Sequence, residues 1–192
     1  MGTAIETRTL SEALPEAVLT VLDEFLTAEL TTLGKGDRPV TWPIMPYFWA
    51  ERGTFFTFTS IGFPQKALNI RRDPRASLLF SDPTGSGLGD PPIVLVQGTA
   101  SAPEAIIASA KDAEPLVWEV MGRQARRWIR RQPSTARYLS NRLMRYLMDW
   151  YFMRMAIIIK PERIIWWSAG DCSTRPETIE VTHVDPDPTP SA

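Results

Sequence analysis

Between residues 11 and 26, apolar side chains recur at helical spacing: Leu14, Val18, Val21, Leu22 and Phe25 share one face. Ser11 offers a capping hydroxyl and Glu16 lies in the early turns, so the spacing predicts one helix over 11–26. Residues 1–10 carry no period and are expected to be loose. The pattern changes at Ala28. A short apolar, Thr-rich stretch over 28–33 ends at Gly34-Lys35-Gly36-Asp37, a turn signal. A second strand is expected over 40–49, a turn over 50–53 and a third strand over 54–59. Short Gly-containing turns between such runs predict an antiparallel meander. In the third strand Phe55, Thr57 and Thr59 share one face, and Phe56 and Phe58 the other. The all-Phe face is expected to be core-like, leaving the Thr face to present hydroxyls.

Gly62-Phe63-Pro64 opens a short helix, with Pro64 near its first position. The helix runs through Lys66, Asn69 and Ile70 and must stop near Asp73, because the residue before Pro74 is pushed out of the helical region. Residues 76–80 predict a fourth strand, 81–92 a flexible Gly/Pro loop, and 93–100 a fifth strand entered without a helical crossover. Residues 103 to about 151 read as mainly helical, broken at Gln132-Pro133, where Ser134 can cap the next helix. Two strands are expected at 153–159 and 163–167, joined by a turn at Lys160-Pro161-Glu162. From Cys172 onward an acidic, Pro-rich tail is expected to be disordered. There is no internal repeat and no linker. The expectation is one domain over 1–171 whose helical block interrupts a sheet. Six or seven antiparallel strands with helices set around them predict an α+β barrel, closed or partly closed.

Composition narrows the chemistry. The 192 residues hold one His, His183, and one Cys, Cys172. One of each excludes a zinc site of Cys and His ligands and an intrachain disulfide. A Ser-His-Asp or Cys-His triad would have to draw on a His in the Pro-rich tail. No metal site is expected, and the hard chemistry of an enzyme would come from a bound cofactor or from carboxylates. No apolar run approaches the roughly 18 residues of a membrane span. The longest, 155–159, is closed by Arg154 and Lys160. The N-terminus lacks a signal-peptide pattern, so a cytoplasmic protein without membrane contact is expected.

The stretch from Phe55 to Phe80 carries the candidate site. Thr57, Thr59 and Ser60 end a strand, and Lys66 follows in the first turn of a short helix. A helix N-terminus with a Lys and two or three hydroxyls makes a phosphate cradle. The alternative is that Thr simply favours strands and Lys66 is solvated. The run from Lys66 to Phe80, KALNIRRDPRASLLF, resembles the signature of the pyridoxamine 5'-phosphate oxidase-like superfamily of FMN-binding split β-barrels, which includes flavin and deazaflavin oxidoreductases. The preceding elements, the stretch Val96-Gln97-Gly98-Thr99-Ala100 and the late Pro161-Glu162-Arg163-Ile164-Ile165-Trp166 resemble it too. The resemblance covers roughly 12–102 and 153–168 and is silent about the helical block.

The resemblance implies that Lys66 contacts a cofactor phosphate, assisted by Thr57, Thr59 and Ser60. It places Val40, Thr41, Trp42 and Pro43 beside the ring, and Gln65, Asn69 and Trp166 join the expected cofactor-binding set. The expected cofactor is FMN, with a deazaflavin coenzyme as alternative and heme third. The expected assembly is a homodimer with cofactor sites at the interface, and the substrate a planar organic molecule. Two departures stand out. Family oxidases carry phosphate-binding Arg residues at the positions of Trp42 and Gln65. Each charge-assisted hydrogen bond is worth on the order of 1.5–3 kcal/mol, so their loss argues against pyridoxamine phosphate oxidation itself. The flavin or deazaflavin oxidoreductase type fits better. Heme-handling and non-catalytic stress proteins use the same barrel, so the fold does not fix the reaction.

Three further features have ordinary explanations beside functional ones. Residues 123–145 hold eight Arg and no acid. A solvated helix face with internal ion pairs is the first explanation; an anionic ligand, a deazaflavin's polyglutamate tail, an acidic partner or nucleic acid are others. The many aromatics, from Trp42 and Tyr47 to Trp166 and Trp167, suit core or interface packing as well as ring stacking. Of Trp166 and Trp167, adjacent on a strand, only one can face inward. Glu51, Asp73, Asp82 and Asp90 fall in turns, with no spacing that singles out an acid–base pair.

Overall fold

Pro15 breaks the expected first helix. The computed structural model, which describes residues 4–6, 10–107, 122, 126, 129 and 154–182, has α1 at Leu10–Ala13 and α2 at Glu16–Glu24. A proline amide cannot continue a helical hydrogen-bond ladder, and here Pro15 becomes the N-cap of α2. The apolar stripe survives the break: Leu10, Leu14, Val18, Val21, Leu22 and Phe25 are all buried in the main core.

The first strand of the meander is β2 at Ala28–Leu33. The expected second strand divides at Met45-Pro46 into β3 at Pro39–Ile44 and β4 at Tyr47–Trp49. β3 pairs antiparallel with β2, and β4 with β5 at Thr54–Ser60. α3 follows at Gln65–Arg72, then β6 at Arg75–Phe80 and β7 at Ile93–Ser101. The expected helical block does not begin at Pro103: Ile106–Ile107 form β8. Gly122, Arg126 and Ile129 are helical; the rest of that block, including the break at Gln132-Pro133 and most of the Arg-rich segment, lies outside the described residues.

Instead of two strands and a turn, Arg154–Trp167 form one strand, β9. Gln97 pairs with Arg163 and Gly98 with Pro161, so Glu162 is an extra residue bulged from the ladder. A proline fits inside a strand at such an irregularity, where its missing N–H breaks no ladder bond. Two other expectations are also corrected. Glu177–Thr182, within the expected disordered tail, form β10 against the second half of β9. Ala4–Glu6, within the expected loose N-terminus, form β1 parallel to β10.

The strands make one curled sheet in the order β1-β10-β9-β7-β6-β2-β3, with β5 and β4 on the edge of β9 that β10 leaves open. The β3–β4 corner closes the ring. Through it the chain passes from a strand bonded to β2 into one bonded to β5, which is bonded to β9. This is a split β-barrel of the α+β class, as the sequence leads one to expect. Its interior is filled by Leu30, Phe55, Leu78, Val94, Val96, Ile157 and Ile159, with α2 and α3 packed against it. A second cluster of Tyr47, Trp49 and Phe56 lies on the outer face of β4 and β5. The two faces of β5 are therefore the reverse of the expectation. The face carrying Thr57 and Thr59 shares the barrel interior with Phe55, and Phe56 and Phe58 pack outside.

Candidate functional site

β5 and β9 run antiparallel with Thr57 opposite Ile157, Thr59 opposite Met155 and Ser60 opposite Arg154. Beyond Ser60 the chain must turn into α3, and its own hydroxyls build that turn. Thr59 Oγ1 donates to the Phe63 carbonyl at 2.8 Å, and the Gly62 amide donates to Ser60 Oγ at 3.2 Å. The Phe63 amide closes the turn on the Ser60 carbonyl at 2.9 Å. α3 is then fixed to the barrel by the fully buried Asn69. Its Nδ2 donates to Thr32 Oγ1 on β2 at 3.1 Å, and its Oδ1 accepts from Gln65 Nε2 at 2.8 Å.

This docking sets the position of Lys66, the second residue of α3. Its ammonium lies over the indole of Trp42, 5.2 Å from the ring centroid, within cation–π range. Burial lowers its pKa from the ordinary 10.5 by penalising the charged form. Among the described residues no carboxylate pairs with it. Lys66 borders a cleft of about 430 Å³ between the β3–β4 corner, β5, the start of α3 and the start of β9. That volume lies within the roughly 300–1,000 Å³ of small-molecule sites. Pro43, Ile44 and Met45 line one side, Thr57, Phe58, Thr59 and Ser60 the floor, and Tyr47, Phe63 and Arg154 the rest. Burial pushes the Tyr47 phenol above its ordinary 10.0, while the Arg154 charge pulls it part of the way back. Tyr47 therefore stays a neutral hydroxyl, with its ring edge-on to Phe58 at 6.0 Å. Phe63, 63% exposed, stands at the lip.

Of the nine residues expected around a cofactor, Pro43, Thr57, Thr59, Ser60 and Lys66 line this one cleft. Trp42 adjoins it beneath Lys66. Gln65 and Asn69 instead bond to each other and to Thr32, holding α3 in place. Trp166 lies elsewhere. It is 5% exposed in the main core, opposite Val94 and Glu177 in the half of β9 remote from Arg154. Its neighbour Trp167 is half-buried on the opposite face. Asp73 turns the chain and holds Arg75 in an ion pair of 2.6 Å, which brings its carboxyl down to about 2. Phe63 and Arg154 were not expected at the site from the sequence, and Tyr47 was only one of its many aromatics. For Arg154 the signal is a lone charge ending an apolar strand, which marks its place in the chain but not its neighbours.

The arrangement is a half-enclosed cleft bordered by aromatic side chains, one desolvated ammonium, one guanidinium and the Thr57–Ser60 end of β5. It suits a planar ligand bearing an anionic group. Among the described residues no group of three or more His, Cys, Asp and Glu side chains stands ready to hold a metal. Among them, too, no helix is long and apolar enough to cross a membrane.

Comparison with known proteins agrees with the architecture. No curated protein matches the sequence. Solved structures do. A protein related to general stress protein 26, of the pyridoxinephosphate oxidase family, from Clostridium acetobutylicum is 13% identical with a TM-score of 0.50, over 92% of this chain and 96% of that one. A heme-binding protein from Mycobacterium smegmatis is 17% identical with a TM-score of 0.52, over 88% of this chain and 59% of that one. At such identities the likeness concerns the fold. The sequence itself matches the family model described as pyridoxamine 5'-phosphate oxidase over residues 14–167, which include every element from α2 to β9. The chain belongs to the pyridoxamine 5'-phosphate oxidase family.

Proposed function

We propose that this chain is a flavin-dependent oxidoreductase that binds FMN, or a deazaflavin analogue, in the cleft beside Lys66 and acts on a planar organic substrate. One observation carries this: a single cleft gathers Lys66 with Thr57, Thr59, Ser60 and Pro43, residues that the family resemblance assigns to the cofactor. The residues fit such a group. A half-buried ammonium without a carboxylate partner among the described residues is disfavoured by its surroundings, and a phosphate would relieve that. Pro43, Tyr47, Phe58 and Phe63 supply flat or apolar contact for a ring system. When bound, the flavin would supply hydride transfer through its own ring; the chain binds, orients and excludes water. The resemblance also implies a homodimer with cofactor sites at the interface, and the proposal includes this and a cytoplasmic location.

Absorbance of the purified protein and titration with FMN and a deazaflavin test the reading. Binding of one of them is expected, and Lys66→Ala should weaken it by about 10- to 100-fold, the value of one charge-assisted hydrogen bond. If neither binds at micromolar concentration, the proposal fails. A non-catalytic heme protein is the second reading, favoured by the Mycobacterium smegmatis neighbour. Against it, the chain has a single His, His183, in its Asp- and Pro-rich tail, so axial ligation by His would depend on that one residue. A Soret band on addition of hemin, without flavin binding, would favour it.

A further inference from the structure

We propose that the Tyr47 hydroxyl is a specificity-determining donor of the cleft, and that its acceptor is a ring oxo group of the kind a quinone substrate or a flavin carries. This rests on the reading of a planar ligand in the cleft and deepens it, since that reading uses Tyr47 only as ring contact. Packing accounts for the Tyr47 ring. It is 7% exposed, belongs to the outer cluster with Trp49 and Phe56, and meets Phe58 edge-on at 6.0 Å. A Phe would fill that place equally well, so packing does not require the hydroxyl. Among the described residues nothing hydrogen-bonds it, although a buried phenol ordinarily finds a partner. Nor is it sealed inside the packing. Among the described residues, the enclosed side-chain polar atoms without a partner are Trp49 Nε1 and Thr54 Oγ1. Tyr47 lines the cleft, and its hydroxyl opens on that space.

The chemistry of the cleft selects what the hydroxyl meets there. Its described lining side chains include Lys66 and Arg154, which can only donate, and no carboxylate, amide or imidazole. Thr59 and Ser60 use their hydroxyls in the turn before α3. Burial keeps the phenol protonated, and the nearby Arg154 charge favours its giving up negative charge to an acceptor. A donor-rich cleft takes an acceptor-rich ligand. A planar ring that enters displaces the water at the hydroxyl, and a ring without an acceptor leaves that donor unpaired. Tyr47 therefore distinguishes an oxo-bearing ring from a plain aromatic ring of the same shape.

The experiment compares naphthoquinone with naphthalene, the same fused rings without oxo groups, and adds riboflavin, which has the FMN ring and no phosphate. Dissociation constants for wild type and Tyr47→Phe are read from quenching of Trp fluorescence or, for riboflavin, from flavin fluorescence. Naphthoquinone and naphthalene are titrated with and without saturating FMN. Tyr47→Phe should weaken naphthoquinone or riboflavin by about tenfold, the value of one hydrogen bond to a desolvated donor, and naphthalene by less than about twofold. A loss confined to naphthoquinone assigns the acceptor to the substrate, and a loss with riboflavin assigns it to the cofactor ring. Naphthalene is the control for folding, since a merely structural hydroxyl would change all three ligands alike. Equal change for all three, or no change for any, overturns the inference, as does a wild type that binds no oxo-bearing ring. A wild type that binds naphthoquinone through Tyr47 but no flavin removes the flavin reading and leaves the inference standing. Flavin and naphthoquinone binding that are both indifferent to Tyr47→Phe remove the inference and leave the flavin reading standing.

Discussion

Position 42 shows how one side chain sets the character of the cleft. An indole there gives the Lys66 ammonium a π face at 5.2 Å, where the family oxidases place a second cation. Trp42→Arg should therefore add a phosphate contact and remove a stacking surface. A charge-assisted hydrogen bond of about 1.5–3 kcal/mol, less a cation–π contact of about 0.5–1 kcal/mol, leaves a net gain of about 1–2 kcal/mol. FMN should bind roughly 5- to 30-fold tighter and riboflavin no tighter, as read by flavin fluorescence. An equal change for both flavins would mean that position 42 touches only the ring. At this scale the meeting of Lys66 with Thr57, Thr59 and Ser60 at one cleft was legible because they lie close in sequence, on a strand and the helix after it. The bond between Gln65 and Asn69 could not be foreseen, since a spacing of four on a helix serves an internal hydrogen bond as readily as a ligand. Tyr47 and Arg154 reach the cleft from other strands, and only the pairing register puts them there.

β9 explains why some elements were harder to see than others. Its inward residues are Met155, Ile157, Ile159 and Pro161, then Ile164 and Trp166. The bulged Glu162 switches the inward set from odd to even numbers, so the core face continues through an irregular ladder. Read along the sequence, that phase change beside a proline looks like a turn between two strands. The bulge has a structural requirement at Gly98, where an added Cβ would lie 2.1 Å from the Lys160 carbonyl oxygen and 2.9 Å from the Glu162 nitrogen. Both are backbone atoms, so the strands themselves must separate. Gly98→Ala should cost about 1–3 kcal/mol, the usual range for overpacking. At about 2–4 °C per kcal/mol for a chain of this size, Tm should fall by roughly 2–12 °C. An unchanged melting curve would show that the β7–β9 contact is looser than the distances say. The other missed elements gave weak signals for other reasons. β10 has only Ile179 and Val181 in alternation, set between Pro176 and an Asp-Pro tail. β4 is three residues long, and Pro46 had hidden the corner that closes the barrel.

Across the whole molecule, the scarcity of groups that titrate near neutrality sharpens what pH should do. His is the side chain whose ordinary pKa falls between pH 5 and 8, and this chain has one, at 183, beyond β10. The cleft holds two cations, a raised phenol and hydroxyls. Any change in FMN affinity between pH 5 and 8 should therefore belong to the ligand, whose phosphate loses its second proton at about pH 6. Affinity should rise through that value as the dianion forms. On the alkaline side the limit belongs to Lys66. Its free pKa is lowered by burial, so it loses its proton, and its hold on phosphate, below the ordinary 10.5. Affinity for FMN plotted against pH should be bell-shaped, with an acid limb from the ligand and an alkaline limb from the protein. Riboflavin should show neither limb before its own ring titrates, and Lys66→Ala should remove the alkaline limb while leaving the acid one. An acid limb that appears with riboflavin as well would trace to a protein group, and His183→Ala would identify whether the tail reaches the cleft.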